Sequence, residues 1–530
     1  MAKSSVSASN YAWRRKASGH SVTETWQGIA ARALVILLTC VQPLFLAPGR
    51  YITLSNSKYA FFSICMCVAL AATVIIWILR MYKSPKLPPR GKLTPADIAI
   101  LGFAFVTLIS ALSSPFAAVG GIWVGLHGRF DGAFTQLFYV AIFLIVSRWY
   151  SPKVMDFNFF AFSAIIVATI GILQFFGIDF LRLWPENPSG FSGDENNHII
   201  FLTTLGNVNV VSTYACIVTS FFGLLFVRMK SGWQPLWLIA STLNFWLMEI
   251  GGSDSGRVGV AVVTFLAIPF IIENRKTLGR FLIMASLWLA AYSLQFLFFE
   301  ATILDIRMVG SLVPFAALFA VLLGSGFIIT KLGEEIDPSA PVKWKLGVIL
   351  IAACIVAGLI GIEVMGRPEM NSGRVITEAR EILHGNIPDE FGTNRVYIWR
   401  NALTAVSRNP IIGSGPDTFP YRFPMEAQGF YGELYDKAHN EYIQILICQG
   451  ILGLLLYLAF LGAIIRNSIP KAFRNPLVMA LMVALVGYCV QAFFNISAPI
   501  ASQILWVFAG MLANKRVREG LKEISEHVGV

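Results

Sequence analysis

The sequence predicts an all-α integral membrane protein with about fourteen transmembrane helices and one large, partly helical extracytoplasmic loop. Of its 530 residues, 56% are apolar and only 13% are charged, a composition typical of a polytopic membrane protein. Long apolar segments recur along the chain, and lysine and arginine are distributed unevenly between the polar segments that join them. The net charge of +11 is therefore a topology signal and does not indicate a nucleic-acid partner.

Fourteen apolar segments are candidate membrane spans. We place them at residues 29–47, 59–79, 97–116, 133–148, 157–177, 208–227, 235–252, 258–273, 281–299, 309–330, 346–365, 442–465, 475–494 and 498–514. No small-residue cleavage site follows a short apolar core near the start, so we expect an uncleaved first span. The expected organisation is an N-terminal tail (1–28), helices 1 to 11 (29–365), the large loop (366–441), helices 12 to 14 (442–514) and a C-terminal tail (515–530).

The positive-inside rule orients these spans. If the N-terminus is cytoplasmic and the spans alternate, the inside segments hold 26 lysines and arginines and the short outside loops hold six. Both termini are then cytoplasmic, and residues 179–206 and the large loop face outward. We therefore expect a multi-pass protein of the cytoplasmic (inner) membrane whose polar chemistry is extracytoplasmic.

The span interiors favour an enzyme over a transporter. Almost every charge lies within about a turn of a span end, and Arg32, Glu249 and Glu363 are the nearest to exceptions. A secondary transporter usually keeps ionisable residues or broken helices near the membrane midplane. Here both features are missing from the span interiors and the polar residues are concentrated in the outer loops, so we expect chemistry at the outer interface.

The large loop predicts two amphipathic helices. The first covers residues 373–384. The second has Thr393 as its N-cap and an apolar stripe that includes Trp399. Arg395 lies four residues before Trp399 and so on nearly the same face, where a cation needs either a bound anion or a structural ion pair. Arg400 lies on a different face, and its role is more ambiguous.

His439 stands where the polar loop passes into an apolar helix. We expect a continuous helix from Asp436, its N-cap, to Arg466, roughly 45 Å long against about 30 Å of hydrocarbon core. The first turns, with His439, should therefore project into the interfacial layer. The positive end of the helix dipole disfavours a protonated imidazole and favours a nearby phosphate, which suits a neutral general base. The alternative is an interfacial histidine that is hydrogen-bonded to loop backbone.

Several short motifs lie in this half of the chain. They are R-x-x-x-W at residues 395–399, N-P-x-x-G-x-G at 409–415 and A-H-N-E-Y-x-Q-x-L at 438–446, which continues as G-I-x-G-L-x-L-Y-L to residue 458. Upstream are G-N-V-N at 206–209 and S-D-S-G-R at 253–257, the latter with Asp-Ser-Gly where a direct Ser-Arg pair is expected. Over residues 200–466 the set resembles the O-antigen ligase superfamily, which includes O-antigen ligases, O-antigen polymerases and bacterial O-oligosaccharyltransferases.

The resemblance implies glycosyl transfer from a polyprenyl (undecaprenyl) diphosphate carrier to an acceptor hydroxyl on the outer membrane face. It makes His439 the base that removes the acceptor proton, with inversion at the anomeric carbon. It makes Arg395, Arg257 and Arg400 the candidate ligands of the donor diphosphate. The residues that would support the site or contact the acceptor are Asp436, Lys437, Asn440, Tyr442, Asn207 and Asn209. Topology or packing is the favoured explanation for Arg129 and Arg182, although both could line the donor groove.

The family's chemistry needs no metal, and we expect neither a metal nor a cofactor. The outer loops contain no D-x-D or clustered acidic motif. The seven cysteines all lie in or beside apolar segments, so we expect neither a disulfide framework nor a zinc site.

Three functions remain open. The first is a ligase that attaches a finished polysaccharide to a lipid, wall polymer or protein, and the second is a polymerase that joins lipid-linked repeat units. We favour the ligase because one well-formed A-H-N-E-Y loop carries the pattern, whereas the arginine-rich paired loops expected of a polymerase are weak. The third is a polysaccharide or lipid flippase, which fits fourteen spans but not span interiors without charges. A purely structural role for the large loop also remains open.

Overall fold

The computed structural model confirms the all-α fold. It describes the chain except for residues 1–21, 84–91, 119–120, 127, 185–200, 300–305, 336–343, 368–373, 430–433 and 520–530, so most of both predicted tails lies outside it. The α-helices of the described residues are α1 (Val22–Ile36), α2 (Gln42–Leu44), α3 (Arg50–Lys83), α4 (Pro95–Leu112), α5 (Gly121–Val124), α6 (Ala133–Trp149), α7 (Val154–Phe175), α8 (Val208–Arg228), α9 (Gln234–Ile250), α10 (Asp254–Ile271), α11 (Arg275–Phe299), α12 (Ile306–Glu335), α13 (Trp344–Met365), α14 (Arg374–Leu383), α15 (Phe391–Thr404), α16 (Phe419–Arg422), α17 (Glu441–Ala472), α18 (Pro476–Ala492), α19 (Gln503–Ala513) and α20 (Lys515–Glu519). A π-helix (Leu37–Val41) joins α1 to α2, and 3₁₀ turns cover Ala405–Arg408 and Met425–Ala427.

Thirteen of the fourteen predicted apolar segments each overlap one of these α-helices, and the first, 29–47, covers the end of α1, the π-helix and α2. Eight helical stretches in the described part of the chain are long and apolar enough to cross a membrane, namely Trp26–Leu44, Arg50–Lys83, Pro95–Leu112, Val154–Phe175, Val208–Arg228, Asp254–Ile271, Arg275–Leu294 and Glu441–Ala472. Shorter apolar helices are Ala133–Trp149, Ala316–Lys331, Pro476–Ala492 and Gln503–Ala513. The chain is therefore a multi-pass membrane protein.

Local sequence explains where several helices begin. Thr94 caps α4 in a capping box with Asp97, and a proline occupies the first helical position. Asn475 caps α18 through its side chain, again directly before a proline. The large loop forms α14, as predicted, although residue 373 lies outside the described residues.

Three helices form the centre of the molecule. The most apolar stretch of α8 is wholly buried, and nearly all side chains of α18 and α19 are buried. Gly259 of α10 lets the neighbouring helices approach closely, because a Cβ there would lie 2.7 Å from the sulfur of Cys216 in α8 and 3.1 Å from the carbonyl of Gly487 in α18. Outside this centre, α3 is largely exposed, as expected of a helix that faces lipid.

A short hairpin leads into α8. Strands β1 (Phe201–Leu202) and β2 (Gly206–Asn207) are antiparallel, with Phe201 opposite Asn207 and Leu202 opposite Gly206. The hairpin ends at Asn207, whose side chain accepts a hydrogen bond from the backbone N–H of Asn209 at 2.9 Å and so caps α8.

Helix α17 is sharply bent at Gly450, so the predicted continuous helix is wrong. Gly450 has φ 71° and ψ −176°, a conformation that side chains other than glycine rarely adopt. The carboxylate of Glu441 accepts a hydrogen bond from the Tyr457 hydroxyl at 2.6 Å. These residues would be roughly 24 Å apart along a straight helix. The first nine residues of α17 therefore fold back against the rest.

The loop at residues 409–415 fills this bend. Its backbone replaces the hydrogen bonds that the bend removes, through Ser414 N to Ile447 O (3.1 Å), Gly415 N to Cys448 O (2.9 Å), Ile451 N to Pro410 O (2.8 Å) and Leu452 N to Ile411 O (3.1 Å). The backbone of the N-P-x-x-G-x-G motif therefore pairs with the backbone of α17 on both sides of the bend. The expectation that the spans contain no broken helix is corrected here.

A short helix, α19, and the buried segment between α18 and α19 place non-helical backbone inside the molecule. With eleven residues, α19 is roughly 16 Å long, about half of the hydrocarbon thickness. The segment that joins it to α18 is largely buried, and Asn495 in that segment donates to the Asn209 carbonyl at 2.8 Å. Polar backbone and side chains therefore lie between the end of α18 and the beginnings of α8 and α19. The bend in α17 places the first turn of α17 in the same region.

Candidate functional site

A cavity of about 540 Å³ opens among these helix ends, within the size range of small-molecule sites. It lies between the large loop, the segment before α6 and the beginnings of α8 and α10. Its lining residues are Arg129, Val208, Asn209, Gly252, Ser253, Asp254, Thr393, Arg395, Ile398, Leu434, Tyr435, Asp436 and His439. Four of the ten predicted site residues are therefore brought together, namely His439, Arg395, Asp436 and Asn209.

Three helices begin at the cavity wall. Val208 and Asn209 start α8, Ser253 precedes α10, and His439 lies two residues before α17. Each helix carries a partial positive charge at its N-terminus, where backbone N–H groups have no partner within the helix. The three ends therefore make the cavity favourable for an anion.

His439 precedes the helix cap. Asn440 is the N-cap of α17, since its side chain accepts from the backbone N–H groups of Tyr442 (3.0 Å) and Ile443 (3.1 Å). The predictions that Asp436 is the N-cap and that His439 lies in the first turn are wrong. His439 instead adopts a left-handed backbone conformation with φ 48°. His439 nevertheless lies directly before this cap and lines the cavity.

The His439 imidazole is neutral at physiological pH. Burial lowers its pKa to about 4, with further lowering by Arg395 and then Arg129, while Asp436 opposes the shift. Its Nδ1 atom is buried and has no hydrogen-bond partner among the described residues. A neutral imidazole that shares its cavity with two guanidinium groups can accept a proton once an anion offsets their charges.

Arg395 reaches the cavity from the start of a regular helix. Gly392, Thr393 and Asn394 have φ values of 65°, 61° and 64°, and α15 is regular only from Arg395 onward. The predicted N-cap role of Thr393 is therefore wrong, and this β-branched residue is held in a strained conformation at the cavity wall. The Arg395 Nη1 atom donates to the Gly392 carbonyl at 2.8 Å, which directs the side chain.

Trp399 connects this helix to the histidine segment. Its indole Nε1–H donates to the Ala438 carbonyl at 2.9 Å, one residue before His439. Arg395 and Trp399 occupy neighbouring turns of one face, as the R-x-x-x-W spacing predicted. The motif therefore places one side chain at the cavity and uses the other to fix the backbone beside His439.

Two predicted arginines are occupied elsewhere. Arg257 donates from Nε to Glu249 Oε2 (3.0 Å) and from Nη1 to Asp254 Oδ1 (3.1 Å). Arg400 has a side chain that is 58% exposed and donates from Nη1 to Asp389 Oδ1 at 2.6 Å. Neither is among the described residues that line the cavity. Their diphosphate-binding role remains a prediction that the geometry does not support.

Lys437 belongs to a buried ion cluster. Its ammonium group donates to Asp131 Oδ2 at 3.2 Å and to Asp417 Oδ1, and its side chain is 1% exposed. The two carboxylates raise the pKa of Lys437 although burial opposes this, and burial raises the pKa of Asp131 to about 6. Lys437 therefore joins three loop segments, does not line the cavity and is not placed to contact an acceptor.

The remaining predicted residues support the walls. Tyr442 donates its hydroxyl hydrogen to the Cys489 carbonyl at 2.7 Å, and Asn207 and Asn440 act as helix caps. Asn209 faces the cavity and accepts a hydrogen bond from the Ser253 hydroxyl at 3.1 Å. In the described part of the chain, no group of three or more His, Cys, Asp or Glu side chains is arranged to hold a metal ion.

Arg129 lines the cavity, although its sequence context favoured a role in topology or packing. Its Nε–H donates to Asp436 Oδ2 at 2.9 Å, which places it beside His439. This ion pair holds the pKa of Asp436 below its usual range even though burial acts in the other direction. The two glycines of G-R-F-D-G (128–132) are the sequence feature that could have indicated an ordered turn around Arg129. The structure shows this turn, with Gly128 at φ 69° and Phe130 at φ 56°.

Comparison with known proteins identifies the family. Residues 239–458 match the family model described as O-antigen ligase. The match includes Asp254, Arg395 and His439 but ends short of Arg129 and Asn209 on the N-terminal side. No curated protein matches the chain. The family consists of membrane enzymes of the ligase and polymerase type that act on lipid-linked glycans. Residues 239–458 of this chain therefore form a domain of the O-antigen ligase superfamily.

Proposed function

We propose that the protein is an inverting glycosyltransferase of the O-antigen ligase type, which moves a glycan from undecaprenyl diphosphate to an acceptor hydroxyl. The reaction takes place on the outer face of the cytoplasmic membrane, with both chain termini in the cytoplasm, and contributes to cell-surface polysaccharide. The observation that carries the proposal is one cavity in which a neutral histidine, guanidinium groups and three helix N-termini meet.

The reaction begins with the donor diphosphate against Arg395 and the helix N-termini. The acceptor oxygen forms a bond to the anomeric carbon as the bond from that carbon to the diphosphate oxygen breaks. His439 accepts the acceptor's hydroxyl proton, and the diphosphate leaves with the electron pair of the broken bond. Arg395 and the helix ends stabilise the charge that grows on the departing oxygen.

The donor also prepares the base. Burial, and after it the guanidinium groups of Arg395 and Arg129, hold the pKa of His439 low. A bound diphosphate brings negative charge beside the imidazole and raises that pKa, so His439 gains basicity when there is a glycan to transfer.

A ligase is favoured over the alternatives. A polymerase needs a second lipid-linked substrate as acceptor, whereas the motifs converge on one cavity. The bend in α17 weakens the sequence argument against a flippase, because broken helices do occur in transporters. The bend is filled by the 409–415 loop, however, and the cavity chemistry is that of a transferase.

The test is deletion of the gene followed by analysis of the lipid-linked glycans that accumulate. Long polymers left on the carrier support the ligase, single repeat units identify a polymerase, and units trapped in the inner leaflet identify a flippase. Complementation compares wild type, His439→Ala and His384→Gln. His384 is exposed and contacts Glu363 at 2.9 Å, so its replacement should restore the glycans. Full restoration by His439→Ala at normal protein level would refute the base assignment.

A further inference from the structure

Arg129 is presented by a loop that is fixed on several sides. Its backbone N–H bonds the Leu126 carbonyl at 2.9 Å, and the Leu126 N–H bonds Asp417 Oδ2 at 2.6 Å. The Phe130 ring stacks on Tyr59 with centroids 4.2 Å apart and planes 6° apart. The loop is thus held both by the buried ion cluster and by helix α3, so the backbone that carries Arg129 is fixed on both sides.

Among the described residues, the Arg129 guanidinium makes a hydrogen bond only through its Nε atom. Nε donates to Asp436, whereas Nη1 and Nη2 have no hydrogen-bond partner among the described residues. The side chain is 33% exposed and lines the cavity. Arg257 and Arg400, in contrast, both use Nη groups in bonds to protein oxygens. Arg129 therefore offers two terminal nitrogens in the fork geometry that binds phosphate oxygens.

Arg129, Arg395 and His439 line the same cavity. Both guanidinium charges act on the imidazole, which places them near the reacting group. Asp436 offsets part of this positive charge, and its carboxylate is already engaged with Arg129. A diphosphate carries two phosphoryl groups, and two arginines beside one base match that number.

We propose that Arg129 is a further donor-binding residue, which contacts the diphosphate through Nη1 and Nη2 while Asp436 fixes it through Nε. The inference rests on the proposed function and replaces Arg257 and Arg400 as partners of Arg395. Asp436 is then a positioning residue, which orients Arg129 and takes no proton in the reaction.

The test measures binding without catalysis. Full-length protein in lipid nanodiscs is titrated with a short polyprenyl diphosphate and with the polyprenol of the same chain length. We expect Arg129→Gln to raise the Kd for the diphosphate about tenfold or more and to leave the Kd for the alcohol unchanged. Arg408→Gln, at an exposed arginine outside the cavity, is the matched control and should bind both lipids as wild type does.

Two further variants separate binding from folding. Arg129→Lys keeps the charge but loses the fork, so its Kd should lie between those of wild type and Arg129→Gln. Asp436→Asn should weaken diphosphate binding and leave polyprenol binding intact, a selectivity that a merely structural role would not produce. Wild-type diphosphate affinity in folded Arg129→Gln, or wild-type affinity in Arg129→Lys, overturns the inference. Failure of the wild-type protein to prefer the diphosphate over the alcohol refutes the proposed function itself.

Discussion

Replacement of Gly450 by alanine tests whether the bend in α17 builds the site. A Cβ at this position would lie 2.3 Å from the Ile411 carbonyl oxygen, 2.4 Å from its carbonyl carbon and 2.6 Å from the Gly413 nitrogen. These are backbone atoms, which cannot rotate away. The added methyl group would therefore push the 409–415 loop off the helix.

The magnitude follows from two contributions. A residue other than glycine in this backbone conformation costs about 1–3 kcal/mol. Displacement of the loop also breaks up to four backbone hydrogen bonds, each worth about 1 kcal/mol. We therefore expect Gly450→Ala to destabilise the joint between loop and helix by on the order of 4 kcal/mol, and to abolish glycan transfer because His439 loses its position.

Gly462→Ala is the matched control. Gly462 lies in the same helix with no atom within 4 Å of an added Cβ, so alanine there should be neutral or stabilise the helix by up to about 1 kcal/mol. Hydrogen exchange at the amides of Ser414, Gly415, Ile451 and Leu452 measures the joint directly. If those amides in Gly450→Ala exchange as slowly as in wild type, and transfer continues, the bend does not position the site.

Three further predictions address the cavity and its supports. The pKa of His439 is about 4 before the donor binds, so kcat/KM for the donor should be constant from pH 8 to about 5. The acid-side decrease in kcat should occur at higher pH, because the bound donor raises this pKa. A decrease in kcat/KM centred near pH 6.5 would contradict the prediction. Lys437→Met leaves two buried carboxylates without their cation and should destabilise the protein by about 3–5 kcal/mol in thermal unfolding, whereas adding Asp131→Asn should recover part of that loss. Trp399→Phe removes the hydrogen bond to the Ala438 carbonyl, worth about 1 kcal/mol. It should lower kcat several-fold and leave the affinity for the diphosphate unchanged. A change in affinity with unchanged kcat would show that the indole does not act by positioning His439.

The membrane-spanning helices were predictable because a long apolar segment satisfies its backbone hydrogen bonds in a membrane by forming a helix. Each apolar segment became a helix, and the R-x-x-x-W spacing correctly placed Arg395 and Trp399 on one face. The bend at Gly450 was not predictable in the same way. A glycine inside a helical pattern costs only about 1 kcal/mol, so the apolar run through Gly450 reads as continuous unless the 409–415 loop is known to lie against it.

The cavity was only partly predictable because its parts come from distant segments. His439, Arg395 and Asp436 were identified by local motifs within the large loop. The pairing of Arg129 with Asp436 spans 307 residues, and no local pattern reports it. The same holds for Lys437, whose burial depends on Asp131 and Asp417. A charged residue near the end of a span is first interpreted as a determinant of membrane topology. Only the fold shows whether it instead lines a binding site or forms a buried ion pair.

The buried ion cluster has a consequence for how the molecule is made. Asp131 is synthesised 306 residues before Lys437, and Asp417 precedes the lysine by 20. Throughout insertion of the intervening helices, the nascent chain holds Asp131 without its cation, at a site where an unpaired buried charge is costly. The segment before α6 cannot settle until residue 437 has left the ribosome. The cavity therefore cannot mature before residue 437 has been made, and a chain that terminates before Lys437 would leave the inserted helices without a formed active site.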